Sequence, residues 1–220
     1  MVTNTAGKPS VGTASRFAYA AGFTGILANL FLVAMYLVLG LQAGGLEAQG
    51  TSLGRAGALS GSASDLVGSL SVAFMIPVAL ALGGRLPRRR ATRFTQVAGL
   101  AAMALLTVGG PLLVLGVLAF EVETPIAMAA WVVLGLWLLM VNRWLRLSEA
   151  LPVRVARLGE FFGTGLLAGY IIVGLGLLLP WMSSPQLVVF GLGGLVGLPA
   201  YLGIPVWFVL LGRHLGASVA

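Results

Sequence analysis

Six continuous apolar stretches constrain this 220-residue chain more than any other feature of its sequence. Each holds about 20 residues, enough to cross the hydrocarbon core of a bilayer as an α-helix. Strands of a membrane barrel would alternate polar and apolar residues, and these stretches do not. Only 9% of the residues are charged, against about 25% in a typical soluble domain. The sequence therefore predicts an all-α polytopic membrane protein, a single bundle of six transmembrane helices.

The predicted spans cover about residues 17–41, 64–83, 95–120, 126–141, 161–181 and 187–211 of a membrane domain at 16–214. We expect residues 1–15 to be disordered and residues 215–220 to form a short C-terminal tail. The Gly-, Ala- and Ser-rich segment 43–62 is interpreted as a loop, either disordered or dipping back into the membrane. Residues 121–125 and 183–185 are predicted to be tight turns.

Basic residues are concentrated in every second connection of this arrangement. The segments 84–94 and 142–160 and both termini are basic, whereas the other connections are neutral or acidic. Positively charged residues of short loops stay on the cytoplasmic side of a membrane. We therefore predict that both termini are cytoplasmic and that the protein lies in a bacterial inner (plasma) membrane.

The net charge of +7 comes from these connections, so we expect no nucleic-acid partner. The expected partners are the lipid bilayer and a membrane protein or a second copy of the chain. Five arginines either contact anionic lipid headgroups or only set the topology: Arg88, Arg89, Arg90, Arg154 and Arg157. Four aromatic residues lie near span ends, as residues anchored at the membrane interface do: Tyr19, Trp131, Trp144 and Trp181.

The residue inventory argues against several cofactors. The chain has no cysteine, a single histidine, His214, and a single lysine, Lys8, which precedes the first span. Thiolate metal sites and iron–sulfur clusters need cysteine, and a haem held by paired histidines needs two of them. A retinal Schiff base needs a lysine inside the bundle. We therefore expect no metal and no cofactor, and the absence of catalytic motifs such as a zinc-binding His-Glu-x-x-His helix argues against an enzyme.

A few polar residues lie inside or beside the apolar stretches. Asn29, Ser71, Thr107 and Tyr170 lie within predicted spans, where each either makes a structural hydrogen bond or belongs to a substrate site. Asp65 opens the second predicted span, and a carboxylate there would cap the helix N-terminus. A proton-relaying carboxylate is the alternative interpretation of Asp65.

The third and sixth spans contain glycine and proline at mid-length. Gly110 with Pro111, and Gly197 with Pro199, are candidate helix breaks. Each pair falls in the last helix of a three-helix half, and the two halves would have opposite orientations. Broken helices at matching positions are typical of transporters built as inverted repeats. Glycine and proline also occur in unbroken membrane helices, which is the alternative.

Three segments carry a resemblance to a known family. They are DLVGSLS at 65–71, WLLMVNRW at 137–144 and SEALPVRVARLG at 148–159. Together they resemble a family of bacterial multi-helix membrane proteins of unknown function. The resemblance implies a membrane protein of six or seven helices, and it implies no catalytic residue.

Two functions are compatible with the sequence. The first is a non-catalytic accessory, partner-binding or lipid-binding bundle, favoured by small-residue packing motifs at 165–169 and 193–197 and by the lack of charge in mid-span. The second is a small transporter or channel for an apolar or weakly polar solute, built as a three-plus-three inverted repeat and favoured by the candidate helix breaks. With no acid or base in mid-span, we do not expect coupling to protons.

Overall fold

The computed structural model describes residues 11–41, 52–180 and 183–217, which contain six long helices. The helices are α1 (Val11–Leu41), α2 (Ser52–Gly83), α3 (Arg90–Val114), α4 (Phe120–Leu147), α5 (Val153–Gly176) and α6 (Ser184–Ala217). Each is long and apolar enough to cross a membrane. The prediction of an all-helical bundle with six candidate membrane spans is confirmed.

The helices are arranged as a closed ring. Each packs against its neighbours in sequence, and α6 packs against α1. Within the described ranges, contacts between helices on opposite sides of the ring are sparse. Of the arginines in these ranges, all except Arg55 lie near the end of the ring where α1, α3 and α5 begin, which we call the basic end. The opposite end is called the acidic end, because Asp65, Glu121 and Glu123 lie on its side.

Large side chains fill the half of the ring nearer the basic end. Trp137, Trp207 and Phe208 are each no more than 1% exposed. In α4, no residue in the range 120–129 is buried, whereas buried residues recur through the range 130–145. The interior is therefore closed toward the basic end and loosely packed toward the acidic end.

Glycines let neighbouring helices meet through their backbones. A Cβ atom on Gly163 of α5 would lie 2.5 Å from the backbone nitrogen of Leu139 and 2.8 Å from the carbonyl oxygen of Gly135, both in α4. Gly169 of α5 meets the backbone of Gly197 in α6 in the same way. Small residues at helix interfaces allow this approach in membranes. The small-residue motifs at 165–169 and 193–197 thus join α5 to α6 within this chain.

All six helices begin earlier than the predicted spans, and in two of them the extension replaces a segment predicted to be a loop or disordered. The first, α2, begins at Ser52, so residues 52–62 of the predicted loop are helical, and residues 43–51 lie outside the described residues. The second, α1, begins at Val11, so residues 11–15 are helical instead of disordered, and residues 1–10 lie outside the described residues. The loop prediction is wrong for 52–62 because small residues of modest hydropathy still form a helix where a second helix packs on them. Met35 of α1 lies against Gly61 in this way.

The acidic segment 121–125 is the first turn of α4, so the prediction of a tight turn there is wrong. The helix begins at Phe120, and the N–H of Glu123 donates to the carbonyl of Ala119 at 2.9 Å. Pro125 lies inside the helix. Its missing N–H leaves the carbonyl of Glu121 without the usual helical donor, and the helix continues past it.

The chain reverses at residues 115–119 instead. Gly116 has a φ of 68°, and the N–H of Val117 donates to the carbonyl of Leu112 at 2.9 Å. This is the Schellman arrangement, in which a left-handed residue ends a helix and its last carbonyls are satisfied. At the α5–α6 connection, which also lies at the acidic end, Ser183 Oγ accepts the N–H of Gln186 at 3.3 Å and caps α6, which begins at Ser184.

The predicted helix breaks in α3 and α6 are absent. The α3 helix continues through Gly110 and Pro111, and α6 continues through Gly197 and Pro199. The prediction is wrong because unpaired backbone groups are costly in hydrocarbon, and a helix that continues past a proline leaves fewer of them than a broken one. Gly110 allows α2 to approach instead, since a Cβ atom there would lie 2.9 Å from the carbonyl oxygen of Asp65. The inverted repeat therefore loses the feature that suggested it.

Candidate functional site

Three neighbouring spaces on the acidic-end side of the packed half share lining residues, and their walls together include residues of all six helices. The main chamber, about 120 Å³, is bounded by α1, α2, α3, α4 and α6. A space of about 30 Å³ lies beside it between α1, α2, α4 and α6, and a space of about 370 Å³ lies between α1, α5 and α6. Tyr201 of α6 lines all three. We call the three spaces together the central cavity.

Two carboxylates face the central cavity. Asp65 of α2 and Glu123 of α4 line its main chamber and are close enough to interact electrostatically. Neither has an ion-pair partner among the described residues. The salt bridge found there joins Arg146 to Glu160 at the basic end, at 2.6 Å. Among the described residues that line the three spaces, none is basic. The central cavity is therefore negatively charged when these two groups are ionised.

Asp65 is not a helix cap. The α2 helix begins thirteen residues earlier, at Ser52, so about 20 Å of helix precede the carboxylate. The backbone N–H groups around Asp65 are already used inside the helix, and the side chain is exposed toward the cavity. The capping prediction is wrong because the segment that resembles a loop before Asp65 is helical. The alternative interpretation, a proton-relaying carboxylate, stays a prediction.

Three aromatic rings form a cluster in the wall of the central cavity. Trp131 of α4 stacks on Tyr170 of α5, with ring centroids 6.2 Å apart and planes inclined by 6°. Tyr201 of α6 meets Trp131 edge-on, with centroids 5.1 Å apart and an angle of 68°. Both geometries are favourable for aromatic pairs. The three rings, which we call the aromatic cluster, tie α4, α5 and α6 together beside the two carboxylates.

Serines of α2 join the cavity walls by hydrogen bonds. The hydroxyls of Ser64 and Ser71 donate to carbonyl oxygens of α1, at 3.1 and 2.8 Å. Ser69 donates to the carbonyl of Leu106 in α3 at 3.1 Å. Hydroxyls that bond a neighbouring helix are a common means of helix association in membranes. These bonds hold α2 against α1 and α3, and Asp65 lies on the same helix.

No family model matches this chain, and no curated protein or solved structure is significantly similar to it. The resemblance of the segments 65–71, 137–144 and 148–159 to a multi-helix membrane family therefore identifies no family. The function has to be inferred from the central cavity itself.

Three of the four polar residues predicted inside the bundle meet at the central cavity. Asn29 and Ser71 line its smallest space, and Tyr170 lines its widest. The Asn29 amide donates to the carbonyl of Leu202 in α6 at 3.4 Å. Thr107 is not among the lining residues, and its hydroxyl donates to a carbonyl one turn earlier in α3, at 2.8 Å.

The candidate break residues divide between the cavity and its surroundings. Gly110 lines the main chamber and Gly197 the widest space, whereas Pro111 and Pro199 line neither. The five arginines predicted to contact lipid are exposed and lie at the basic end, far from the cavity: Arg88, Arg89, Arg90, Arg154 and Arg157.

Sequence reasoning missed Glu123, Trp131 and Tyr201 as cavity residues. The sequence predicts a turn at Glu123 and an interface anchor at Trp131. Their spacing of eight residues is a signal that could have found them, because residues about two helical turns apart share one face of a helix. That signal is usable only when α4 is known to begin before Glu123, and the acidic, proline-containing start of α4 conceals this.

Proposed function

We propose that this chain is a small transporter that takes a solute into the central cavity and carries it across the membrane. The observation that supports this proposal is a cavity lined by all six helices and closed on the basic-end side by packed side chains. A binding site near the middle of the bundle, open to one side at a time, is the arrangement that alternating access needs. Opening toward the basic end would require the packed half of the ring to separate.

The charge distribution supports an orientation for this transporter. We propose that the basic end faces the cytoplasm and that the central cavity opens to the outside, as expected when positive residues stay on the cytoplasmic side. In a plasma membrane with this orientation, the exposed arginines 88–90, 154 and 157 lie at the level of the inner headgroups. Anionic lipid attracts basic segments at that position.

An accessory role in a larger membrane complex has less support. It was suggested by small-residue faces and by the lack of charge inside the spans. The small-residue faces pack within this chain, where Gly169 meets Gly197. Asp65 and Glu123 supply the missing charge, since both line the central cavity within helices that could span the membrane.

Cysteine labelling tests whether the central cavity admits water and solute. The chain has no native cysteine, so single-cysteine variants can be labelled in native membranes without background. Leu198 lines the widest space of the cavity and is 49% exposed. Leu195, about one turn earlier on α6, is 74% exposed but is not among the residues that line the cavity. It provides a matched control on the lipid-facing side.

We expect Leu198→Cys to react quickly with a charged, membrane-impermeant thiol reagent added from the acidic-end side. Leu195→Cys should stay unlabelled, because lipid covers it and excludes the reagent. Labelling is measured as the loss of thiols available to a second reagent after denaturation. Protection of both positions would mean that the cavity is closed and dry, and the transporter proposal would have to be abandoned.

A further inference from the structure

The residues that line the central cavity indicate which class of solute it binds. This inference rests on the proposed transporter function. We propose that the cavity binds a monovalent organic cation, a quaternary or protonated amine, between the carboxylates of Asp65 and Glu123 and the aromatic cluster. This differs from the apolar or weakly polar solute that the sequence suggests. The difference follows from the two carboxylates, which the sequence places at a helix cap and in a turn.

The first support is the uncompensated charge. Asp65 and Glu123 line the same chamber, no basic residue lines it with them, and neither forms an ion pair within the described ranges. Ionised groups inside a membrane bundle are costly unless they are paired, and they commonly mark a substrate or ion pathway. A bound monovalent cation would balance one of these two negative charges, for which the described lining provides no basic residue.

The second support is the aromatic cluster beside the carboxylates. Trp131 lines the main chamber together with Asp65 and Glu123, and Tyr201 lines it as well. The faces of Trp and Tyr attract ammonium groups, and aromatic cages are a common means of recognising quaternary amines.

The same lining argues against a metal ion as the solute. Calcium is bound by six to eight oxygen ligands, and the described residues contain no group of three acidic, histidine or cysteine side chains that could hold a metal ion. The main chamber of about 120 Å³ lies beside a space of about 370 Å³ lined largely by glycine, leucine, valine and tyrosine. A space of this size and character suits a small amine with an apolar body.

Choline and its neutral isostere, 3,3-dimethylbutan-1-ol, form the probe pair that tests this inference. The two molecules have nearly the same shape and differ in charge. Binding is measured by isothermal titration to the full chain in lipid nanodiscs. We expect choline chloride to bind at least tenfold more tightly than the neutral alcohol, because only choline carries the charge that the carboxylates and the aromatic faces attract.

Conservative variants test which residues cause the preference for choline over the neutral alcohol. Asp65→Asn and Glu123→Gln keep the shape of the side chains, and each should weaken choline binding at least tenfold while leaving the binding of the neutral alcohol unchanged. Trp131→Leu should weaken choline binding as well. Glu121→Gln is the matched control, since Glu121 lies two residues from Glu123, is exposed and is not among the lining residues. It should bind choline as the native protein does.

Folding of each variant is checked by its elution volume and its thermal unfolding, so that a loss of binding is not a loss of structure. Equal affinity for choline and the neutral alcohol, or equal loss of affinity in Glu121→Gln, would overturn the inference. If Leu198→Cys is labelled but choline shows no preference, the solute class is wrong and the transporter proposal stands. If Leu198→Cys is protected, both fail.

Discussion

Glu149 ends α4 by adopting a left-handed backbone conformation, which is unfavourable for a residue with a side chain. Among the described residues other than glycine, it is the one with a positive φ, of 55°. The N–H of Ala150 donates to the carbonyl of Leu145 at 2.9 Å, which completes the same Schellman arrangement that Gly116 makes after α3. A side chain in this conformation is strained by its Cβ atom, and glycine is not.

Replacing Glu149 by glycine should therefore stabilise the protein. We expect Glu149→Gly to raise the free energy of unfolding by about 1 kcal/mol, the order of the strain that it removes. The measurement is the unfolding midpoint of the purified protein in detergent. Glu149→Ala removes the same charge but keeps the Cβ atom, so it should show no comparable gain. Equal stability of the two variants would mean that the charge, and not the backbone, decides the effect.

Only some of the cavity residues could be predicted, because only some of them stand out from the apolar sequence around them. Asn29, Ser71 and Tyr170 are polar residues inside apolar stretches, so they are recognisable without a structure. Asp65 was noticed for the same reason, but its role depends on where α2 begins. Trp131 could not be assigned to the cavity, because hydropathy does not distinguish an aromatic residue facing lipid from one facing the interior.

At the scale of helices, some glycines let neighbouring helices approach backbone to backbone, and others do not. Gly163 of α5 meets the backbone of α4, with only 2.5 Å from an added Cβ atom to the nitrogen of Leu139. Gly174, further along the same helix, has no neighbouring heavy atom within 4 Å of such a position. A side chain would therefore clash with α4 at Gly163, whereas there is space for one at Gly174.

We expect Gly163→Ala to destabilise the protein by roughly 1–3 kcal/mol, because α4 and α5 must move apart to accommodate the methyl group. Gly174→Ala is the matched control in α5 and should be neutral or stabilising by about 0.5–1 kcal/mol, because alanine favours the helix over glycine. Thermal unfolding in detergent compares the two variants with the native chain. A loss of stability in Gly174→Ala equal to that in Gly163→Ala would contradict the close α4–α5 contact.

The helices themselves were predictable, and their ends were less so. Long apolar runs identify all six helices, since nothing else can satisfy the backbone of such a run inside a membrane. The sequence does not reveal the start of α2, because residues 52–62 contain three glycines and three serines, which favour a helix weakly, and have modest hydropathy. Contact with α1, shown by Met35 against Gly61, makes that segment helical, and such a contact is not visible in the local sequence.

At the scale of the whole molecule, the two ends of the ring differ in charge. Arg88 is exposed in the α2–α3 connection at the basic end, and Val117 is 70% exposed in the α3–α4 connection at the acidic end. We expect Val117→Cys to react with an impermeant thiol reagent in intact cells and Arg88→Cys to react only after the membrane is opened, since basic connections stay in the cytoplasm. The reverse pattern of labelling would invert the proposed orientation.

The closure of the ring could not be predicted from the sequence. It depends on α6 packing against α1, where Ser15 Oγ donates to the carbonyl of Gly212 at 2.8 Å across 197 positions of the chain. Gly22 and Gly25 of α1 admit Pro205 of α6 at the same interface. Hydropathy predicts the number of helices and their alternating directions through the membrane. Contacts between residues this far apart in sequence leave no periodic signal.

Because α1 begins beside the point where α6 ends, the order of the helices is cyclic. A short peptide from the end of α6 to the start of α1, with the chain cut between α2 and α3, would give the order α3, α4, α5, α6, α1, α2. Every helix would keep its neighbours and its direction through the bilayer, and both new chain ends would still lie at the basic end. The position of the chain ends in this cyclic arrangement can therefore be changed, and circularly permuted chains should fold into the same six-helix ring.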